Sequence, residues 1–83
     1  MPRYYFNVYN DEITSDEEGI ELADPGAARD RGLFEARNLA AESVALYGHL
    51  VLDHRIEVAD QTGANVAVIY FRDVVEILKT DDD

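Results

Sequence analysis

The chain has 83 residues, room for one domain with a thin core. Asp and Glu number 18 against 7 Lys and Arg, a formal net charge of −11, so the chain is repelled by nucleic acid and anionic membranes and attracts basic partners. It contains no cysteine, which excludes disulfides and thiolate metal sites and suits a reducing cytosol.

The opening, MPRYYFNVYN, lacks the charged-then-apolar pattern of a signal peptide. Arg3 to Tyr9 reads as a strand, with Tyr4, Phe6 and Val8 alternating against more polar neighbours. Asn10-Asp11-Glu12 is a turn signal. Ile13-Thr14 and Ile20-Glu21-Leu22 are short strand pieces around the acidic turn Ser15-Asp16-Glu17-Glu18-Gly19. Asp24-Pro25 predicts a helix start, because Asp24 can cap free amides and proline suits the first helical position. The helix is expected to run to Tyr47, with Gly48 as the left-handed residue after it.

At helical spacing one face gathers Ala28, Gly32, Leu33, Ala36, Leu39, Ala40, Ser43, Val44, Leu46 and Tyr47. Ala28, Gly32 and Ala36 would let this face lie close to a sheet. Leu50-Val51-Leu52 follows as a connector or the start of the next strand. Arg55 to Asp60 alternates as a strand, Gln61 to Ala64 is a hairpin turn, and Asn65 to Phe71 returns as a strand. Within it, Val66 to Phe71 is the longest purely apolar run, far below the roughly 18 residues of a membrane span. A soluble cytoplasmic protein is expected. Its apolar residues fall on both faces, so the last strand is either central or covered on its second side. Asp73 to Leu78 reads equally as a helical turn or a short edge strand. Residues 1–79 form one domain, and residues 80–83 an acidic, disordered tail.

These elements predict an α+β fold: an antiparallel β-sheet with one long α-helix packed on one face, in the order β-β-α-β-β, with a short C-terminal turn or strand.

Residues with catalytic potential are scattered. Asp16, Glu17, Glu18 and Glu21 could gather around a divalent cation, but the alternating spacing of a calcium loop is absent. His54 lies beside Asp53, yet neighbours on a strand point to opposite faces, and His49 with His54 lacks a third metal ligand. No nucleophile elbow or phosphate-cradling glycine loop occurs, so no catalytic residue, metal or cofactor is expected.

Met1 to Val8, the stretch Asp16 to Leu22, Asp24 with Ala27-Ala28-Arg29, Arg55 to Asp60 and Phe71 to Ile77 follow one another in an order that resembles a family of short alphaproteobacterial proteins known only as a domain of unknown function. The resemblance covers nearly the whole chain. It implies a bacterial, stand-alone domain and carries no activity. Gly32-Leu33-Phe34 departs from that family's more alanine- and charge-rich pattern. The Tyr-rich first strand, acidic turn and alanine-rich helix also resemble antitoxins of the HicB type, which implies an inhibitor of a small basic protein. The proline- and glycine-containing motif usual before that family's helix is not matched, and no DNA-binding segment follows.

The expected activity is therefore a non-enzymatic interaction or regulatory one. If Tyr4, Phe6 and Val8 face the helix, Tyr5 and Tyr9 face away, joined by Ile69 and Phe71, or by Val68 and Tyr70, from the last strand. Phe34 falls on the back of the helix. Tyr5, Tyr9, Phe34, Ile69 and Phe71 are the expected interaction surface, for a basic protein partner or for a second copy in a homodimer. A small metal-binding protein or enzyme acting through His54, Asp53 and the acidic turn is the remaining alternative.

Overall fold

A computed structural model describes residues 1–80, so Asp81 to Asp83 of the expected acidic tail lie outside the described residues. Arg3–Tyr9 (β1), Ile13–Thr14 (β2) and Ile20–Glu21 (β3) precede a long helix, Pro25–Tyr47 (α1). Arg55–Asp60 (β4), Asn65–Tyr70 (β5) and one helical turn, Phe71–Val74 (α2), complete it. Every strand pair is antiparallel. The order is β2-β1-β4-β5, with β3 on the other end of β1. The fold is thus α+β, with the sheet covered by α1 on one face.

Helix α1 begins where Asp24 accepts the Ala27 N–H at 2.8 Å, and proline takes the first position. It ends at Gly48, whose φ of 71° only glycine adopts freely and whose N–H reaches the Val44 carbonyl. Its buried residues are Ala28, Gly32, Ala36 and Ala40, which lie over β4 and β5. The approach is tightest at Gly32. A Cβ there would sit 2.3 Å from Ile69 Cδ1 and 3.2 Å from Val58 Cγ2. Tyr4, Ile56, Val58, Ile69, Phe71 and Val74 supply the larger core side chains.

The expected apolar stripe of α1 holds only part-way. A 23-residue helix is about 34 Å long, whereas six-residue strands span about 20 Å. The helix therefore outruns the sheet, and Val44, Leu46 and Tyr47 of its last turn are exposed.

Two members of the expected interaction surface need correction. Ile69 and Phe71 lie in the core, 2% and 1% exposed. Ile69 pairs with Ile56 and so shares its helix-facing side. The ambiguous Asp73–Leu78 segment does not cover the far side of the sheet either. Phe71 donates its N–H to the His54 carbonyl at 2.8 Å, and Arg72 donates to that of Leu52 at 3.3 Å, which turns the chain out of β5. The resulting α2 sits beside α1: Val74 is buried, and its carbonyl accepts from Arg37 Nε at 3.1 Å.

The acidic turn closes the sheet's β1 edge. Asp16 accepts the Phe6 N–H at 3.1 Å with Oδ2, and those of Glu18 and Gly19 at 3.2 and 3.1 Å with Oδ1. Its own N–H goes to Asn7 Oδ1 at 2.9 Å. Burial works to raise the Asp16 pKa, but the three backbone donors together outweigh it and hold the carboxyl below its ordinary value. The turn is therefore a structural clasp between β2 and β3.

A depressed folded-state pKa means that the Asp16 contribution is complete above the unfolded value of about 4 and is lost as pH falls through the lower folded one. Asp16→Ala is expected to cost about 2 kcal/mol at pH 7 in urea unfolding. The gap from wild type should narrow below about pH 4. For the helix contact, Gly32→Ala gains about 1 kcal/mol of helix propensity but overpacks the core by about 1–3 kcal/mol, a net loss. Ile69→Val alone costs about 1 kcal/mol. Because Ile69 Cδ1 is the atom in the way, the double variant should lose clearly less than the sum of the singles. Strict additivity would show that this contact is not the constraint.

Candidate functional site

The sheet face turned away from α1 is built by alternation along each strand, interrupted in β5 by a bulge at Val66. β1 contributes Tyr5, Asn7 and Tyr9; β4 contributes Arg55, Glu57 and Ala59; β5 contributes Asn65, Val68 and Tyr70. The pairing Tyr9↔Arg55↔Tyr70 crosses three strands in one row. The Arg55 guanidinium lies over the Tyr9 ring at 4.3 Å, and Arg72 lies over Tyr70 at 4.4 Å. Each contact is a cation–π arrangement between an arginine and an aromatic face.

The arginines are also neutralised locally. Arg55 Nε donates to Glu57 Oε2 at 2.7 Å, and this hydrogen bond is the main cause that raises the Arg55 pKa above its ordinary value. Arg72 pairs with Asp53. Arg3, further along the same side of β1, reaches Glu21 at 3.3 Å and the Glu18 carbonyl at 2.7 Å. The result is a row of rigidified tyrosine and arginine side chains without a free positive patch. At the hairpin end of the face, Asp60 accepts from Thr62 Oγ1 at 2.6 Å and from the Thr62 and Ala64 N–H groups. These bonds, that of the Thr62 hydroxyl foremost, hold its carboxyl below its ordinary value, so the turn stays anionic. A shallow open groove runs along this face between Tyr5, Tyr9, Glu57, Asp60 and Asn65.

Tyr5 and Tyr9 are therefore placed on this face as expected from alternation, half-buried by their neighbours. Phe34 is on the back of α1, 59% exposed and remote from this sheet face. Val68, 44% exposed, and Tyr70 take the places expected of Ile69 and Phe71. Arg55, Glu57 and Asn65 complete the face. Arg55 and Glu57 were readable from alternation along Arg55–Asp60 once that strand is set beside β1, whereas Asn65 is placed only by its pairing with Ala59 across the bulge.

The titratable groups weighed for catalysis do not converge. Asp53 is engaged by Arg72, while His54 faces Asp11, Nε2 to Oδ1 3.5 Å, and packs edge-on against Phe71. His49 stacks on Tyr47. The cleft between His54 and the end of α1 measures about 100 Å³, whereas small-molecule sites measure about 300–1,000 Å³. Among the described residues no group of three or more metal-ligating side chains gathers, and no helix is long and apolar enough to cross a membrane.

No curated protein and no solved structure matches the chain. The profile of the family described as Domain of unknown function (DUF6894) matches residues 3–72. That span runs from the first residue of β1 into α2 and takes in every strand of the site, and the chain belongs to this family.

Proposed function

We propose that this chain is a non-enzymatic protein-interaction module of the bacterial cytoplasm, which binds a basic protein segment on the outer face of its sheet. The observation that carries the reading is the row Tyr9–Arg55–Tyr70 with Arg72, held rigid on a sheet face that no other element covers among the described residues. Tyrosine and arginine dominate the energetics of protein interfaces, and side chains already fixed lose little entropy on binding. The partner's charge follows from the balance. The arginines of this face are spent on Glu21, Glu57 and Asp53, while Asp60 at its end and the net charge of −11 remain. Long-range attraction then speeds association with cations, and the tyrosine row supplies contact area.

The test is retention of proteins from a bacterial lysate on the immobilised chain, compared across variants. Tyr9→Ala with Tyr70→Ala should abolish retention of the basic proteins held by wild type, and raised salt should weaken it. Phe34→Ala, on the helix back, should leave it intact. Identical retention by wild type and the double tyrosine variant would contradict the reading.

A further inference from the structure

The outer sheet face carries Tyr5, Tyr9 and Tyr70, and two of these rings are already covered. Arg55 lies over Tyr9 and bonds Glu57, and Arg72 lies over Tyr70 and pairs with Asp53. Each is a trio of tyrosine ring, guanidinium and carboxylate. Tyr5 is the exception: among the described residues no cation lies over its ring. The register gives the reason. Arg55 stands opposite Tyr9 across the β1–β4 pair, whereas the residue opposite Tyr5 is Ala59, too short to reach over a ring. The Tyr5 ring is nevertheless held in place against Gly19, where a Cβ would sit 2.9 Å from Tyr5 Cε1.

The carboxylates of a third trio are present. Glu57 lies on this face two residues from Arg55 and two from Ala59. Its Oε2 is taken by Arg55, but its Oε1 meets only Asn65 Nδ2, at 3.5 Å, in the row of Ala59. Asp60 accepts its hydrogen bonds on Oδ1, which leaves Oδ2 for a further donor. Asp16 lines the same groove, and no arginine or lysine does. Backbone donors and the Thr62 hydroxyl hold the Asp16 and Asp60 carboxyls below their ordinary value, so both are ionised at neutral pH.

We infer that the Tyr5 end of the groove is a subsite for an arginine side chain of the partner, which stacks its guanidinium on the Tyr5 ring above Ala59 and donates to Glu57 and Asp60. The inference rests on the reading of the outer face as a surface for a basic segment, and it names the side chain that the segment presents and the place that receives it. Charge selects a cation, because the groove is lined by carboxylates and by no basic residue. Shape selects arginine over lysine. A planar guanidinium can lie flat on a ring while its edges donate to carboxylates on either side, and a compact ammonium cannot do both. The trios at Tyr9 and Tyr70 show the same arrangement within this chain.

The probes are three end-blocked glycine–serine peptides that differ at one central residue: arginine, lysine or citrulline. Each is titrated into the full chain and followed by amide NMR shifts. The arginine peptide should move the amides of Tyr5, Ala59 and Asn65 and bind about tenfold more tightly than the citrulline peptide, which keeps the shape without the charge. The lysine peptide, equal in charge, should bind clearly more weakly than the arginine peptide. Tyr5→Leu, which keeps the apolar bulk, should remove the preference for arginine over lysine. Ala59→Arg, which supplies at Tyr5 the guanidinium that Arg55 supplies at Tyr9, should abolish the response to the arginine peptide. If Ala59→Arg fails to fold by circular dichroism, the peptide series and Tyr5→Leu still decide the question. Equal binding of the arginine and citrulline peptides, equal binding of the arginine and lysine peptides, or an arginine preference undiminished in folded Tyr5→Leu would overturn the subsite. None of these results bears on whether lysate proteins are retained through Tyr9 and Tyr70, so failure of the subsite and failure of the wider reading are told apart.

Discussion

Gly32 has no Cβ, and Ile69 and Val58 fill the space that one would occupy. With Ala28, Ala36 and Ala40 on the same stripe, this lets the α1 backbone rest almost directly on β4 and β5. Close packing of this kind needs no large helix side chains, so the sheet contributes most of the core volume through Tyr4, Ile56, Val58 and Ile69. The small residues weaken the helix in isolation, and burial against the sheet compensates. One helix so placed covers one face of the sheet, and α2 packs beside it on the same side. The other face is left to Tyr5, Tyr9, Val68 and Tyr70, which is why a candidate interface exists there.

Much of this architecture is legible in local chemistry. Asp24-Pro25 and Gly48 mark the helix ends because capping and left-handed geometry depend on single residue types. The alternation in Arg3–Tyr9 and Arg55–Asp60 assigns their faces directly. β5 is different. Its residues are apolar on both sides, so its own pattern carries no phase. Only the pairing Ile56↔Ile69 decides that Ile69 and Phe71 go inward and Val68 and Tyr70 outward. The exposed end of α1 was hidden for a related reason. An apolar stripe shows which face could be buried, and not how far the opposing strands extend.

Charge has two separate roles in the molecule. Asp16, at the centre of the acidic turn, bonds the backbone of β1 and the turn, and so acts within the fold. Arginines on the outer side are balanced by Glu57, Asp53 and Glu21, which fixes them against the tyrosine rings and cancels their reach into solvent. What remains is a negative field around a nearly neutral aromatic row. In the proposed interaction, that field would filter partners by charge at long range and the tyrosine row would hold them by packing at short range.

The central claim, that α1 covers one sheet face and leaves the other open, is tested most directly at Val68 and Ile69, neighbours that point to opposite sides. NMR with a soluble paramagnetic cosolute, at a dilution that favours single chains, measures the solvent access of each methyl group. Strong broadening of the Val68 methyls with Ile69, Val58 and Ile56 left sharp is the predicted result. Broadening of Ile69 with Val68 protected would mean that β5 is shifted by one residue, and would contradict both the core and the face described.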